Sequence, residues 1–214
     1  MTDPLRSALR KIAAEKMDFD PAHDLAHLDR VWRNSLELSK YEPVLDWRVL
    51  IAAAYLHDLV NLPKDSKDRH LASRLSAERA EPLLGALEYS VSEIAQVRHA
   101  IEAHSFSAGI EPNSTEACVL RDADRLESLG AIGLARWFAV SGQMGRPFYD
   151  PDDPFAQSRS PDDTPFALDH WQTKLNGLAD HMLTSGGKAL ALKRHAVMEA
   201  YLDDLAQELG VTAP

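Results

Sequence analysis

Thiol chemistry is almost missing from this chain: Cys118 is the one cysteine among 214 residues. A lone thiol closes no intrachain disulfide, which fits a reducing compartment, and the cytoplasm is the expected location. Long apolar runs are missing as well. None reaches the roughly 20 residues that a membrane helix needs, so no membrane role is expected. The first stretch, MTDPLRSALRKIAAEKM, reads as an amphipathic helix, without the apolar block and small-residue cleavage site of a signal peptide. Alternating β-branched runs and internal repeats are absent too, which argues against strands and solenoids. Positive charge is scarce: 23 Lys and Arg face 33 Asp and Glu, a net charge of −10. A general nucleic-acid surface is thereby excluded, because phosphate backbones demand clustered cations. A small anionic ligand is not, since it needs only a local positive focus.

What is present is helical texture. The composition, 45% apolar and 26% charged, is that of a globular chain long enough for a substantial core. Asp3-Pro4 reads as the N-cap and first residue of a helix to about Lys16. Asp20-Pro21 is expected to open a second helix, to about Lys40. Asp46 should cap a third, WRVLIAAAYLHDLV, apolar nearly all round and therefore buried, with Pro63 ending it. HLASRLSAERAEPLLGAL, the segment from Ser92 to about Ala103, STEACVLRDADRLESLG and AIGLARWFAV follow as further helices. Gly130 and Gly133 mark the join between the last two. The texture then changes. Residues 142–168 hold a run of Pro, Gly and Asp that predicts a long loop, a candidate lid. Two closing helices are expected over about 169–210, separated by Gly186-Gly187. The expectation is an all-α single domain spanning 1–214, a compact multi-helix bundle with its long loop late in the chain.

Nine histidines are raw material for a metal site. His70, His170, His181 and His195 lack supporting neighbours and read as ordinary polar residues. His57-Asp58 closes an apolar helical run, where an ionised carboxylate needs a partner or an opening to water. Neighbouring helical residues point about 100° apart, so both reach one ion only in a groove completed by other helices. Asp122 and Asp124 flank Ala123 in VLRDADRLESLG and read equally well as a solvated acidic turn. His23 and His27, in HDLAH, share a helix face at i, i+4. The zinc-protease pattern HExxH has Glu as general base; Asp24 is one methylene short, and LDRVW lacks the metzincin Gly and third His.

Taken together, His27-x-x-Arg30-Val31, LHD at 56–58 and ADRL at 123–126 resemble the HD superfamily of metal-dependent phosphohydrolases, whose pattern is H…HD…D. HDLAHLDRVW, AIEAHSFS, RDADRLESLGAIGLAR and a C-terminal TKL…M…K…A…R…M segment extend the likeness over roughly residues 20–208, to a bacterial branch of predicted HD-domain hydrolases. The resemblance implies that His27, His57, Asp58 and Asp124 hold one divalent metal ion, within a metal-site core of about 20–130. Two imidazoles and two carboxylates suit Mn, Mg, Fe, Co, Ni or Zn. Such an ion would make water beside it more acidic and offset phosphoryl charge, with Asp58 in the catalytic centre.

Other residues surround this set. Arg30 falls on nearly the face of His27 and is a candidate for phosphate. His104, in AHSFS, matches the family's His-Ser motif and is expected to meet phosphate or a second metal. His99, five residues earlier, is a candidate for substrate contact or for orienting a ligand. Lys64, with Lys67, Arg69 and Arg74, would supply the positive focus. His23 and Asp122 are expected to brace the ligands. The sequence departs from some HD nucleotidases in one respect: Leu59-Val60-Asn61-Leu62 places no acid after the HD pair. Proton transfer would then fall to Asp65, Asp68, Asp122 or Glu102, or to water on the metal alone. The expected activity is hydrolysis of a small phosphate ester or anhydride, a nucleotide above all, with nucleoside triphosphate pyrophosphohydrolysis the narrowest form. The alternative is an HD module that senses a nucleotide without turning it over.

Overall fold

A computed structural model describes residues 4–17, 24–42, 45–62 and 66–213. Among them every regular element is helical, as expected for an all-α chain. The backbone divides into two compact units, Met1–Asp124 and Arg125–Pro214.

In the first unit α1 (Pro4–Lys16), α2 (Leu25–Leu38), α3 (Trp47–Leu56), α4 (Ala72–Ala86), α5 (Val91–His104) and α6 (Thr115–Arg125, its last residue in the second unit) follow one another. α3 is the axis. Every residue from Val49 to Leu56 is buried, and α1, α2, α4 and α5 all pack against it. Asp46 caps it as the sequence suggests, its Oδ1 accepting the N–H groups of Arg48 and Val49 at 2.9 and 3.2 Å. α5 opens on a capping box between Ser90 and Glu93. α2 starts later than expected. Asp20-Pro21 lies outside the described residues, as do Asp3, Pro63 and Asp65, and the helix opens at Leu25 behind Asp24.

The second unit holds α7 (Gly130–Gln143) and α8 (Ser185–Leu209), packed on each other. Gly133 is required: a Cβ there would meet the backbone C and O of Ser128 at 2.4 Å. Two expectations need correction. HWQTKLNGLADHML is not one helix but a π turn (Trp171–Leu175) and a 3₁₀ turn (Leu178–His181), because Asn176-Gly177 is a poor helix interior. Nor do Gly186 and Gly187 separate helices. They are buried in the first turn of α8, whose N-cap Thr184 takes the Gly187 N–H at 2.9 Å. The Pro-rich loop is tied down internally. Ala167 and Leu168 donate to the carbonyls of Pro147 and Phe148, Trp137 Nε1 donates to Ala167 O at 2.7 Å, and buried Asp169 takes the Arg159 guanidinium.

Candidate metal centre

Three helix ends meet in the first unit. His27 stands in the opening turn of α2, His57 caps the C-terminus of α3, and Asp124 lies in the last turn of α6. Asp24, the acid of the HDLAH pair, is the N-cap of α2: its Oδ1 accepts the His27 N–H at 2.8 Å. It sets the backbone from which His27 projects. Asn34 on α2 donates to the carbonyl of Ala123 at 3.0 Å, pinning α2 to α6 beside Asp124.

His57 is fully buried. Its Nδ1 lies 3.0 Å from Ala54 O. A carbonyl only accepts, so Nδ1 carries the proton and Nε2 bears the lone pair. Nε2 is buried and makes no hydrogen bond. Burial drives the His57 pKa down to about 4; the charge on Asp58 pulls it up, and that of His104 pushes it further down. The ring is thus neutral at neutral pH, the state in which imidazole binds a metal. His104 ends α5 in the same way, with Nδ1 on Ile101 O at 2.6 Å, and its ring meets that of His57 edge-on at 4.8 Å.

The carboxylates stand among these nitrogens. Asp58 Oδ2 lies 3.5 Å from His27 Nε2 and 3.4 Å from His57 Nε2. Asp124 Oδ1 lies 3.5 and 3.9 Å from the same two atoms. The other oxygen of Asp58 is 3.7 Å from His104 Nε2. These separations are long for hydrogen bonds. They approach the spacing of donors on a shared ion, where ligands at about 2.1 Å stand about 3.0–3.4 Å apart. Two groups therefore could hold a metal ion: His27, His57 and Asp124, and His57, Asp58 and His104. The orphaned lone pair of His57 and the mixed N/O donors both fit a divalent ion.

The other candidates are not in either group. Arg30 is half-buried on α2. His99 Nε2 accepts the Asn113 N–H at 3.0 Å, which holds the turn into α6. Asp122 is fully buried on α6, outside both groups. His23 and Lys64 lie outside the described residues, whereas Lys67 and Arg74 are exposed. Of the possible proton carriers, Glu102 is held by Arg98 at 2.9 Å and Asp68 is exposed. Ser76 and Arg79 also serve the site. Ser76 Oγ takes the Val60 N–H at 3.0 Å, and Arg79 donates to Leu59 O at 3.1 Å, so α4 straps down the residues just after Asp58. A serine and an arginine on an ordinary helix carry no local signal of that duty.

A family model described as the HD domain matches residues 24–129. No described helix is long and apolar enough to cross a membrane. The chain is 28% identical over 201 residues to YpgQ of Bacillus subtilis, covering 92% of this chain and 89% of that protein. The crystal structure of YpgQ in complex with ADP superposes with a TM-score of 0.74 at 27% identity, covering 95% and 94% of the two chains. A crystal structure from Lactobacillus plantarum gives 0.73 at 29% identity, covering 98% and 99%. An HD-superfamily hydrolase of Bacillus thuringiensis gives 0.73 at 30% identity, with 97% of each chain covered. Kinship of that extent makes the chain a member of the HD superfamily, in a bacterial branch that includes these relatives.

Proposed function

We propose that the protein is a metal-dependent phosphohydrolase acting on a small phosphate ester or anhydride, a nucleotide in particular. The observation that carries this reading is the buried, neutral His57, whose Nε2 makes no hydrogen bond and faces Asp58 at 3.4 Å and Asp124 at 3.9 Å. His27, His57, Asp58 and Asp124 would hold one divalent ion. Bound there, the ion would supply acidified water and neutralise charge on a phosphoryl oxygen. The chain's own groups do the rest. The carbonyl of Ala54 fixes the His57 tautomer and ring direction. Asp24 and Asn34 hold the ends of α2 and α6 in register. Arg30 and His104 are the candidates for steadying substrate charge. The ADP complex of YpgQ supports a nucleotide as the ligand, and pyrophosphohydrolysis of a nucleoside triphosphate is the narrowest form of the proposal.

A second reading has its own support. No acid follows the HD pair in Leu59-Val60-Asn61-Leu62, which favours a protein that binds a nucleotide and signals without turnover. One screen separates the two. Nucleotides, nucleotide sugars and sugar phosphates are offered with Mn²⁺ to the wild type and to Asp58→Ala. Turnover that disappears in the variant supports the enzyme. Tight nucleotide binding with no product under any divalent metal supports the sensor.

A further inference from the structure

Arg121 is a buried cation with little to hold it. Its side chain is 9% exposed, and its Nε and Nη1 are buried and make no hydrogen bond. A guanidinium does not lose its proton, so the charge stays in place. The nearest carboxylate oxygen is Glu111 Oε2, 3.8 Å from Nη1 and beyond hydrogen-bonding range, on a side chain 88% exposed. Such a carboxylate is solvated and free to leave. Arg121 precedes Asp124 by one turn of α6 and shares its side of the helix.

We propose that Arg121 is an anion-binding residue that receives a second phosphate of the substrate, with Glu111 as a resident counter-ion that gives way to it. Arg121 and Asp124 are separated by about 4.5 Å along the helix, so a phosphate beside an ion that Asp124 would hold leaves Arg121 to a further anionic centre of the same ligand. The substrate class favoured is therefore a nucleoside di- or triphosphate over a monophosphate. The guanidinium presents several N–H donors to phosphate oxygens, a geometry that lysine does not reproduce. This inference rests on the phosphohydrolase reading only for the identity of the anion.

Calorimetric titration of the full chain, stripped of metal by a chelator, with inorganic pyrophosphate and with inorganic phosphate tests it. Pyrophosphate is expected to bind more tightly than phosphate. Arg121→Gln should weaken pyrophosphate binding by about tenfold or more, with Mn²⁺ uptake at the wild-type level. Glu111→Gln, on an exposed side chain that the fold does not need, should strengthen it several-fold. Wild-type pyrophosphate affinity in a folded Arg121→Gln protein overturns the proposal. So does unchanged or weaker affinity in Glu111→Gln, which decides the matter even where Arg121→Gln does not fold. Failure of the wild type to take up Mn²⁺ would sink the metal reading alone, since the titration is run without metal.

Discussion

Both units gather histidine and aspartate, and they do so in opposite ways. In the second unit the groups close on one another. Asp163 takes His170 Nδ1 at 2.7 Å and Lys174 Nζ at 2.9 Å, and Asp169 takes Arg159 Nη2 at 2.9 Å and the Asp162 N–H at 2.7 Å. In the first unit the same residue types stop at 3.4–3.9 Å, and a fully buried imidazole nitrogen makes no hydrogen bond. A cluster that satisfies itself holds a fold together. One whose carboxylates and imidazole nitrogens converge at such distances offers its donors to a cation, and burying such groups costs free energy that a bound cation would offset.

The largest effect that would break this contrast is at Asp124. Asp124→Asn should lower Mn²⁺ affinity by more than about 100-fold, measured by metal content after dialysis. The metal-free protein should be no less stable, because one of two neighbouring negative charges is gone. Wild-type protein should gain about 2.7 kcal/mol at a metal concentration one hundred times Kd, and lose it with a chelator. A variant that binds Mn²⁺ like the wild type would remove Asp124 from the centre.

The second unit should answer in the reverse sense. Arg159→Ala leaves the buried carboxylate of Asp169 with one backbone N–H and no cation. The expected cost is about 3 kcal/mol, read from urea unfolding, with metal content unchanged. Little loss of stability would mean that the loop is not held by this pair.

Acid separates the units next. Burial works to raise the pKa of Asp163, yet hydrogen bonds from His170 and Lys174 bring it down to about 2 from 3.8. The unfolded chain therefore takes up that proton first as pH falls. The contribution to stability is whole above pH 3.8 and is lost as pH drops toward 2. It amounts to at most about 2 kcal/mol, less the screening of exposed Lys174. Asp163→Asn should flatten the stability curve between pH 4 and 2; an unaltered slope would take Asp163 out of the account.

The contrast also marks how far the sequence could be read. α1 and α3 are legible because apolar residues lie behind Pro4 and Asp46, which act locally; α5, expected from Ser92, begins behind the Ser90 cap just before it. The His57-Asp58 pair was legible because polar residues at the end of a buried run demand a reason. Asp58 and His104 meeting across helices was not, since packing alone brings α3 and α5 together. The loop over 142–168 looked slack because Pro and Gly advertise turns, while the Arg159–Asp169 contact that ties it depends on spacing no local rule supplies. Gly186-Gly187 misled for a related reason: a glycine pair reads as a break, but Thr184 caps the helix in front of it.

Asp24 gives the smallest and most discriminating effect. The HDLAH run sets the carboxylate of Asp24 between two histidines, and the capping geometry separates its role from that of a ligand. As an N-cap, Asp24 holds the His27 N–H at 2.8 Å without sending an oxygen into either metal group. Asp24→Ala should therefore cost about 1 kcal/mol of stability and weaken Mn²⁺ only a few-fold, through a looser first turn of α2. Asp24→Ser, which caps equally well but ligates poorly, should restore both. A ligand would behave otherwise: Ser would fail where Asp works, and Mn²⁺ affinity would fall as far as in Asp124→Asn. Measuring stability and metal affinity together on Asp24→Ala and Asp24→Ser thus decides whether this carboxylate acts on the ion or on the helix that presents His27 to it.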